Sequence, residues 1–149
     1  MRAAARGDVA ALQSIVSAVL FPGEMLPEMM APFLDGGDCP DVWLIAEHAG
    51  RPVGLAFAEP EQMTEGTWNL RAIGVLPDEQ GGGLGSALVG AVEEAVRLKG
   101  ARLLLIDTTG LDDQARARRL YEHMGYGQEA RIADFFAPGE DKLTFTKHL

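Results

Sequence analysis

The segment with the clearest chemical signal in the sequence runs from Gln80 to Ser86, where glycines precede an expected helix. Four of the five residues from 81 to 85 are glycine, and the segment follows an apolar strand that ends at Val75. Glycine permits positive φ and a close approach of the backbone to a ligand, and free N–H groups at a helix start attract anions. So many glycines would weaken a plain connection. The pattern therefore predicts a phosphate-binding loop, with a pyrophosphate-bearing cofactor as the first candidate.

Two common phosphate-binding motifs fit this loop poorly. A Walker A loop requires Lys after its last glycine, whereas Gly85 is followed by Ser86 and Ala87. A dinucleotide fingerprint prefers Gly or Ala where Ser86 stands, and it needs an acidic residue about twenty positions on. Asp107 is the residue nearest to that requirement, at an expected strand end. A nucleotide-phosphate binder therefore stays a weaker alternative.

A second motif lies about thirty residues downstream, from Gln114 to Tyr126. It is similar to the Asn-x-x-Ala-x-x-Leu-Tyr-x-x-x-Gly-Phe segment of the GNAT family of N-acetyltransferases, with Gln114 in the place of the usual Asn. The Gln-x-x-Gly-x-Gly pattern from Gln80 to Gly85 resembles the acyl-CoA loop of the same family. The resemblance covers residues 67 to 126 well, the C-terminal strands loosely and the N-terminus weakly.

The resemblance implies a three-layer α/β acyl-CoA N-acyltransferase fold with a mixed, mostly antiparallel sheet and helices on both faces. It also implies acetyl-CoA as cosubstrate, with the acetyl group moving to a primary amine of a small molecule or peptide by direct attack in a ternary complex. The cosubstrate-binding residues that it implies are Ile73, Gly74, Val75, Gln80, Gly81, Gly82, Gly83, Leu84, Gly85, Ser86 and Gln114.

Gly74 stands inside the strand that leads to this loop. It could serve close packing, but we favour a β-bulge, which would separate this strand from the next. By the resemblance, the opened edge from Ile73 to Val75 pairs with the pantetheine arm, and a freed N–H polarises the acetyl carbonyl. Backbone donors of this kind stabilise developing negative charge.

Two side chains are candidates for proton transfer. Tyr121 lies on the apolar face of its helix, and the resemblance implies that its phenol protonates the departing thiolate; the plainer role is a core aromatic. Asp107 matches the position of an acid that some relatives use as general base; otherwise it caps the neighbouring helix or binds the acceptor cation. Three arginines at 116, 118 and 119 are interpreted as a solvated helix face, one of which could contact a cofactor phosphate.

The composition indicates one globular domain over residues 1–149, with 47% hydrophobic residues and no apolar run long enough for a membrane span. The single cysteine, Cys39, favours the cytoplasm, and the three histidines have no zinc-ligand spacing. A net charge of −9 disfavours nucleic acid and anionic membranes as partners. Most of this negative charge lies in residues 1–66. We interpret it either as an aid to solubility or as a means of attracting a cationic acceptor. A homodimer is possible.

The periodicity predicts an ordered series of elements. Helices are expected after Asp8, over the Met-rich residues 25–34, from Leu84 to Gly100 and after Asp112, with the two aspartates as N-caps. Strands are expected at 42–47, 53–59, 68–75, 102–107, 128–136 and 142–148, plus a short one within Met1–Ala5. The run from Leu103 to Ile106 predicts a strand buried on both faces. On the helix that begins at Leu84, the apolar period predicts that Glu93 faces outward.

The sequence leaves the acceptor open among small amines, polyamines, aminoglycosides, amino acids and protein N-termini. A second hypothesis is a non-catalytic CoA-binding or protein-interaction module on the same fold. Binding of acetyl-CoA together with release of CoA on an amine panel distinguishes the two.

Overall fold

The computed structural model describes all residues from Met1 to Leu149. The chain forms seven strands and four helices, in the order β1 Arg2–Ala3, α1 Val9–Val19, α2 Leu26–Leu34, β2 Val42–His48, β3 Arg51–Pro60, β4 Thr67–Val75, α3 Leu84–Arg97, β5 Leu103–Thr109, α4 Ala115–His123, β6 Gly127–Ala137 and β7 Glu140–His148. The predicted N-terminal strand is present as the two-residue β1, which pairs with β2.

All seven strands form one sheet in the order β1-β2-β3-β4-β5-β7-β6. Neighbouring strands are antiparallel except at the centre, where β4 and β5 run parallel. Helices pack on both faces. Residues of α1 and α2 share one buried cluster with β2 and β3, whereas α3 and α4 share the other with β4, β5 and β7. The predicted three-layer, mostly antiparallel fold is therefore confirmed.

The sheet opens at its centre, between β4 and β5. The two strands pair from Thr67 with Leu103 to Leu70 with Ile106, and the pairing ends there. Directly after it, the register of β4 against β3 shifts, because Phe57 pairs with Ala72 while Ala58 pairs with Leu70. Arg71 is thus the extra residue of a β-bulge, which bends and twists its strand. The edge of β4 after Leu70 consequently has no strand partner on the β5 side.

The bulge lies three residues before the place where the sequence predicted it. Gly74 pairs regularly with Leu55 on β3, so the prediction of a bulge at Gly74 is wrong. The predicted separation from the next strand nevertheless occurs, and its cause is Arg71. A bulge depends on pairing between two strands, which a single glycine in one of them does not reveal.

Neither predicted aspartate caps its helix through its side chain. A short 3₁₀ turn precedes both α1 and α4. The carboxylate of Asp8 instead accepts hydrogen bonds from the Ala5 N–H at 2.7 Å and from the Arg2 guanidinium at 2.8 Å. These charged hydrogen bonds from Arg2 lower the pKa of Asp8. Asp8 therefore ties β1 to the start of α1.

Two burial predictions were also wrong. In β5, buried and half-buried residues alternate, so the strand is covered on one face only. Leu104 and Ile106 face the α3 cluster, which places Asp107 on the opposite face. On α3, Glu93 was expected to face outward, but it is buried and accepts hydrogen bonds from Tyr126 Oη at 2.8 Å and Lys147 Nζ at 2.9 Å. Its partners lie more than thirty residues away, beyond the reach of local periodicity.

The edge strand β6 is exposed along its whole length. Its aromatic residues Phe135 and Phe136 are about half exposed and pack edge to face, with ring centroids 5.0 Å apart. None of the four helices has the length and apolar character needed to cross a membrane.

Candidate functional site

A cavity of about 530 Å³ lies where the sheet opens, between the end of β4, the start of α3 and α4. Both motifs singled out in the sequence contribute to its wall. The lining residues are Val19, Leu20, Ile73, Gly74, Val75, Gln80, Gly81, Gly83, Leu84, Gly85, Ser86, Asp113, Gln114, Arg116, Ala117, Leu120 and Tyr121.

The glycine-rich loop presents main-chain donors to this cavity. Gly81 and Gly83 have φ values of 88° and 86°, which glycine adopts without strain. The first amide to donate into α3 is that of Ala87, to the Gly83 carbonyl at 3.0 Å, so the N–H groups of residues 81 to 86 make no backbone hydrogen bond. Six free donors at the positive end of a helix suit an anion such as a pyrophosphate.

The loop also has the space that a phosphate group requires. A Cβ on Gly83 would meet no protein atom within 4 Å, so a side chain there would project into the cavity. Gly82 is open as well, but its φ is not positive and it does not line the cavity. The fit of the loop to a pyrophosphate therefore depends on Gly81 and Gly83 more than on Gly82.

Two polar side chains brace the loop. Gln80 Nε2 donates to the Val75 carbonyl at 2.9 Å, which fixes the turn to the end of β4. Arg116 donates from Nη1 to Gln80 Oε1 at 3.4 Å and lines the cavity beside Gly81. The neighbouring Arg118 instead donates to the carbonyls of Thr109 and Leu111, at 2.6 and 2.8 Å. Arg116 is thus the one of the three arginines positioned to contact a bound phosphate.

Gly74 and Gly85 are needed for close packing around the cavity. A Cβ on Gly74 would lie 2.8 Å from Val19 Cγ2 and 3.1 Å from Leu20 Cδ1, so only glycine lets the end of α1 close against β4. A Cβ on Gly85 would lie 3.1 Å from Leu120 Cδ1 on α4. The packing role of Gly74, considered as the alternative at the sequence level, is the one that the structure describes.

Tyr121 reaches the cavity from α4 and is only 5% exposed. Its ring packs at 5.9 Å from that of Phe145 and at 6.4 Å from that of Tyr126. Burial raises the pKa of Tyr121 to about 12, because the apolar surroundings disfavour the phenolate. The phenol therefore stays protonated across the physiological range and can act as a donor toward the cavity.

Asp107 does not line this cavity. It lies on the other face of the sheet, at the level where β4 and β5 have parted. Its Oδ1 accepts from Thr144 Oγ1 at 2.6 Å, its Oδ2 accepts from Asn69 Nδ2 at 3.2 Å, and Lys142 Nζ is 3.7 Å from Oδ2. Asn69 Nδ2 also donates to Glu61 Oε1 at 2.9 Å, which joins the two carboxylates in one network.

A second hollow of about 480 Å³ adjoins this network and has no hydrophobic residue in its wall. Three carboxylates and one guanidinium face it, and the lining residues are Pro40, Asp41, Glu59, Pro60, Glu61, Gln62 and Arg71. Arg71, the bulge residue, forms ion pairs with Glu59 and Glu61 at 3.0 Å each. The part of the sheet near Asp107 and this hollow is thus polar and carries an excess of negative charge.

The structure brings together most of the residues selected from the sequence. Ten of the eleven predicted cosubstrate-binding residues line the cavity with Tyr121, while Gly82 and Asp107 do not. The residues missed were Val19, Leu20, Asp113, Ala117 and Leu120, whereas Arg116 was one of three arginines named as a solvated helix face from which one could contact a cofactor phosphate. Arg116, two positions after Gln114, could have been found from the motif, but Val19 and Leu20 reach the cavity only through tertiary packing.

Comparison with known proteins places this chain in a family. Residues 12–126 match the family model described as the acetyltransferase (GNAT) family. The crystal structure of a putative GNAT acetyltransferase from Desulfovibrio desulfuricans has a TM-score of 0.88 and 32% identity, covering 96% of this chain and 93% of that one. No curated protein matches the chain.

Two more distant structures show the same fold. A putative acetyltransferase from Salmonella typhimurium, solved with acetyl-CoA, has a TM-score of 0.80 and 22% identity over 99% of this chain and 92% of that one. Ribosomal-protein-alanine N-acetyltransferase from Brucella melitensis has a TM-score of 0.79 and 23% identity over 99% of this chain and 98% of that one.

The chain belongs to the GNAT family of acetyltransferases. The resemblance found in the sequence is therefore confirmed, and at the level of the family so is the prediction of acetyl-CoA as cosubstrate. The family match ends at Tyr126, so it covers the glycine-rich loop and α4 but neither β6 nor β7.

Proposed function

We propose that the protein transfers an acetyl group from acetyl-CoA to a primary amine of a small molecule or peptide, by direct attack within a ternary complex. The observation that carries this proposal is the combination, in one cavity, of an unpaired strand edge, a buried phenol and the free N–H donors of the five loop residues that line it. These groups match the three parts of a thioester of CoA, which are the pyrophosphate, the pantetheine arm and the sulfur.

The loop residues 81 to 86 would hold the pyrophosphate, with the Arg116 guanidinium as an additional positive charge. The free edge of β4 from Arg71 to Val75 would pair with the amide groups of the pantetheine arm in the manner of an added strand. The other predicted contacts, Leu84 and Gln114, line the same cavity. Acetyl-CoA supplies an activated acyl group with a thiolate as leaving group.

The reaction requires a neutral amine, whereas a free alkyl amine with a pKa near 10.4 is almost entirely protonated at neutral pH. We assign Asp107 as the acceptor of this proton. The amine nitrogen then attacks the thioester carbonyl carbon, the new C–N bond forms and the C–S bond breaks. Attack in this manner needs no acyl-enzyme, so no nucleophilic side chain is required.

Tyr121 is assigned as the donor to the departing sulfur. Burial raises its pKa to about 12, so its proton is present throughout the working range. A phenol of this pKa donates a hydrogen bond to the sulfur while negative charge develops there. After the attack the nitrogen still carries one proton too many, and the transfer of this proton to the sulfur, with Tyr121 ending protonated, lets CoA leave as the thiol. Positioned proton donors of this type contribute about 10²–10⁴-fold to rates.

The acceptor is proposed to approach from the face that bears Asp107. β4 and β5 are unpaired beyond Leu70 and Ile106, and we propose that the amine and the thioester meet at this opening from opposite sides of the sheet. The carboxylates Asp41, Glu59 and Glu61 near this approach favour a cationic acceptor. Structural relatives include acetyltransferases of ribosomal-protein alanine and of aminoglycosides, both of which are amines.

A screen for CoA release against a broad amine library tests the proposal. Acetyl-CoA should yield free thiol together with an N-acetylated product of at least one primary amine, identified by mass spectrometry. Tight binding of acetyl-CoA without thiol release on any amine would contradict the proposal and favour the non-catalytic CoA-binding module.

A further inference from the structure

The ammonium group of Lys142 lies between a carboxylate and an aromatic ring. Its Nζ is 3.7 Å from Asp107 Oδ2 and 4.5 Å from the centroid of the Phe135 ring. The three residues come from the adjacent strands β5, β7 and β6. Asp107 and Lys142 share the face opposite the core residues Ile106 and Leu143.

This ammonium is held weakly. At 3.7 Å its distance to Asp107 exceeds that of a hydrogen bond, and both Asp107 oxygens already accept shorter hydrogen bonds from the neutral groups of Thr144 and Asn69. The remaining contact is with the face of the Phe135 ring, which is 51% exposed. A cation arriving from solvent can therefore reach the same ring and the same carboxylate.

We infer that the ammonium of the acceptor binds where Lys142 Nζ lies, between Asp107 and the ring of Phe135, and that Lys142 competes with it. This inference rests on the proposed function for its catalytic meaning. The Lys142 side chain is itself a primary ammonium on an unbranched alkyl chain, so the structure shows the ligand chemistry that fits these two groups. The substrate class assigned is a primary alkylamine whose nitrogen is carried by a CH₂ group.

The need to displace the Lys142 ammonium would also make the site selective for cationic acceptors over neutral ones. The acceptor must replace an internal cation, so neutral molecules gain nothing from the site, and its ammonium arrives beside the carboxylate assigned to remove its proton. Phe135 contributes through the negative face of its ring, which attracts a cation and does not attract an alcohol of the same size. Lys142 and Phe135 are thus specificity-determining residues for the acceptor.

The experiment uses butylamine as the probe and butan-1-ol as its uncharged counterpart. Binding is followed by NMR of the phenylalanine ring resonances, with that of Phe135 assigned by mutation, and turnover by CoA release. Lys142→Met should lower both the Kd and the KM for butylamine by about two- to fivefold, the effect that one exposed cation–π contact supports, with the KM for acetyl-CoA unchanged. Lys142→Arg keeps the competing cation and should not lower either constant.

Two further variants distinguish binding at this site from an effect of the protein's overall charge. Lys99→Met removes the same charge in the connection between α3 and β5 and should leave both constants unchanged. Phe135→Leu should raise the Kd for butylamine about two- to fivefold and leave the weak binding of butan-1-ol unchanged.

Unchanged constants in Lys142→Met, or an equal decrease in Lys99→Met, would overturn the inference. Tighter binding of butylamine in Lys142→Met without acetylation of any amine would support the ammonium site and instead contradict the proposed function. Acetylation of butylamine at a KM insensitive to both Lys142 and Phe135 would leave the proposed function standing and refute the inference.

Discussion

The two strands that border the opening of the sheet contribute different kinds of chemical group. The β4 side, with the loop that follows it, offers main-chain donors and glycines, and few side chains project from it. The β5 side, with β7 and β6 beside it, offers carboxylate, hydroxyl, ammonium and aromatic side chains around Asp107. Main-chain groups suit a ligand that never varies, whereas side chains can be exchanged without altering the fold. On this comparison we propose that the first side binds the cosubstrate and the second binds the acceptor.

The largest effect is expected on the main-chain side. Gly83→Asp should weaken binding of acetyl-CoA by more than about a hundredfold, because the side chain projects into the cavity, its charge repels phosphate and the φ of 86° disfavours any residue but glycine. Isothermal titration calorimetry measures the change.

Gly82→Asp is the matched control for this variant. It adds the same charge in the same loop at a position with ordinary φ outside the cavity wall, so it should weaken binding far less. Equal losses in the two variants would show that charge alone, and not the loop geometry, governs affinity.

The second effect concerns Tyr121, which lines the cavity together with the glycine-rich loop. Tyr121→Phe should lower kcat by about ten- to a thousandfold with the affinity for acetyl-CoA nearly unchanged, since the ring still packs against Phe145 and only the donor is lost. With the pKa of Tyr121 at about 12, its deprotonation should cause no loss of kcat below about pH 11.

Tyr126→Phe is the control, because Tyr126 is the only other tyrosine and its hydroxyl bonds Glu93 instead of facing the cavity. It should lower stability and leave kcat intact. If Tyr121→Phe reduced acetyl-CoA binding as strongly as kcat, the residue would hold the cosubstrate rather than serve the chemistry.

A smaller effect is expected on the side-chain side. Asp107→Asn should reduce kcat/KM for the amine by about a hundredfold and leave the KM for acetyl-CoA unchanged, because the amide keeps the contact with Thr144 but cannot accept a proton. The exposed Asp112→Asn, in the turn before α4, serves as control. A rise in the KM for acetyl-CoA in Asp107→Asn would mean that Asp107 serves the binding of the cosubstrate, which contradicts its assignment to the acceptor side.

The smallest effect lies away from both sides, at the N-terminus. Asp8→Asn should lower the free energy of unfolding at pH 7 by about 1.5–3 kcal/mol, since a buried carboxylate loses its hydrogen bonds from Arg2. Because the folded pKa of Asp8 is lowered, its stabilisation is present above the unfolded pKa and is lost as pH falls through the folded value. The free energies of unfolding of the wild-type protein and of Asp8→Asn, measured with urea, should therefore converge as the pH falls below about 4. The kcat at pH 7 should be the same for both proteins.

The sequence predicted what depends on local signals. The glycine-rich loop, the Leu120-Tyr121 segment of α4 and the order of the strands were all readable, because turn residues and periodicity are encoded over a few neighbouring positions. The bulge at Arg71, the burial of Glu93 and the contact of Gly74 with Val19 were not readable. Each of these depends on a partner far along the chain, which is specified only once the sheet and its helices have assembled.

The acceptor side was the less predictable for the same reason. Asp107 could be named from its position at a strand end, but its partners Asn69, Lys142 and Thr144 come from two other strands. Phe135 and Phe136 were visible as an aromatic pair, yet nothing in the sequence placed the first of them beside Lys142. Side-chain sites built across several strands require the topology before their chemistry can be described.

The most direct test of the account is thermal unfolding of the wild-type protein in the presence of acetyl-CoA, ATP or NAD. Acetyl-CoA at a hundred times its Kd should stabilise the protein by about 2.7 kcal/mol, and ATP and NAD at equal concentration should do so far less. Stabilisation by ATP with no response to acetyl-CoA would contradict the assignment of the loop from Gln80 to Ser86 to the cosubstrate, and with it the division of roles between β4 and β5.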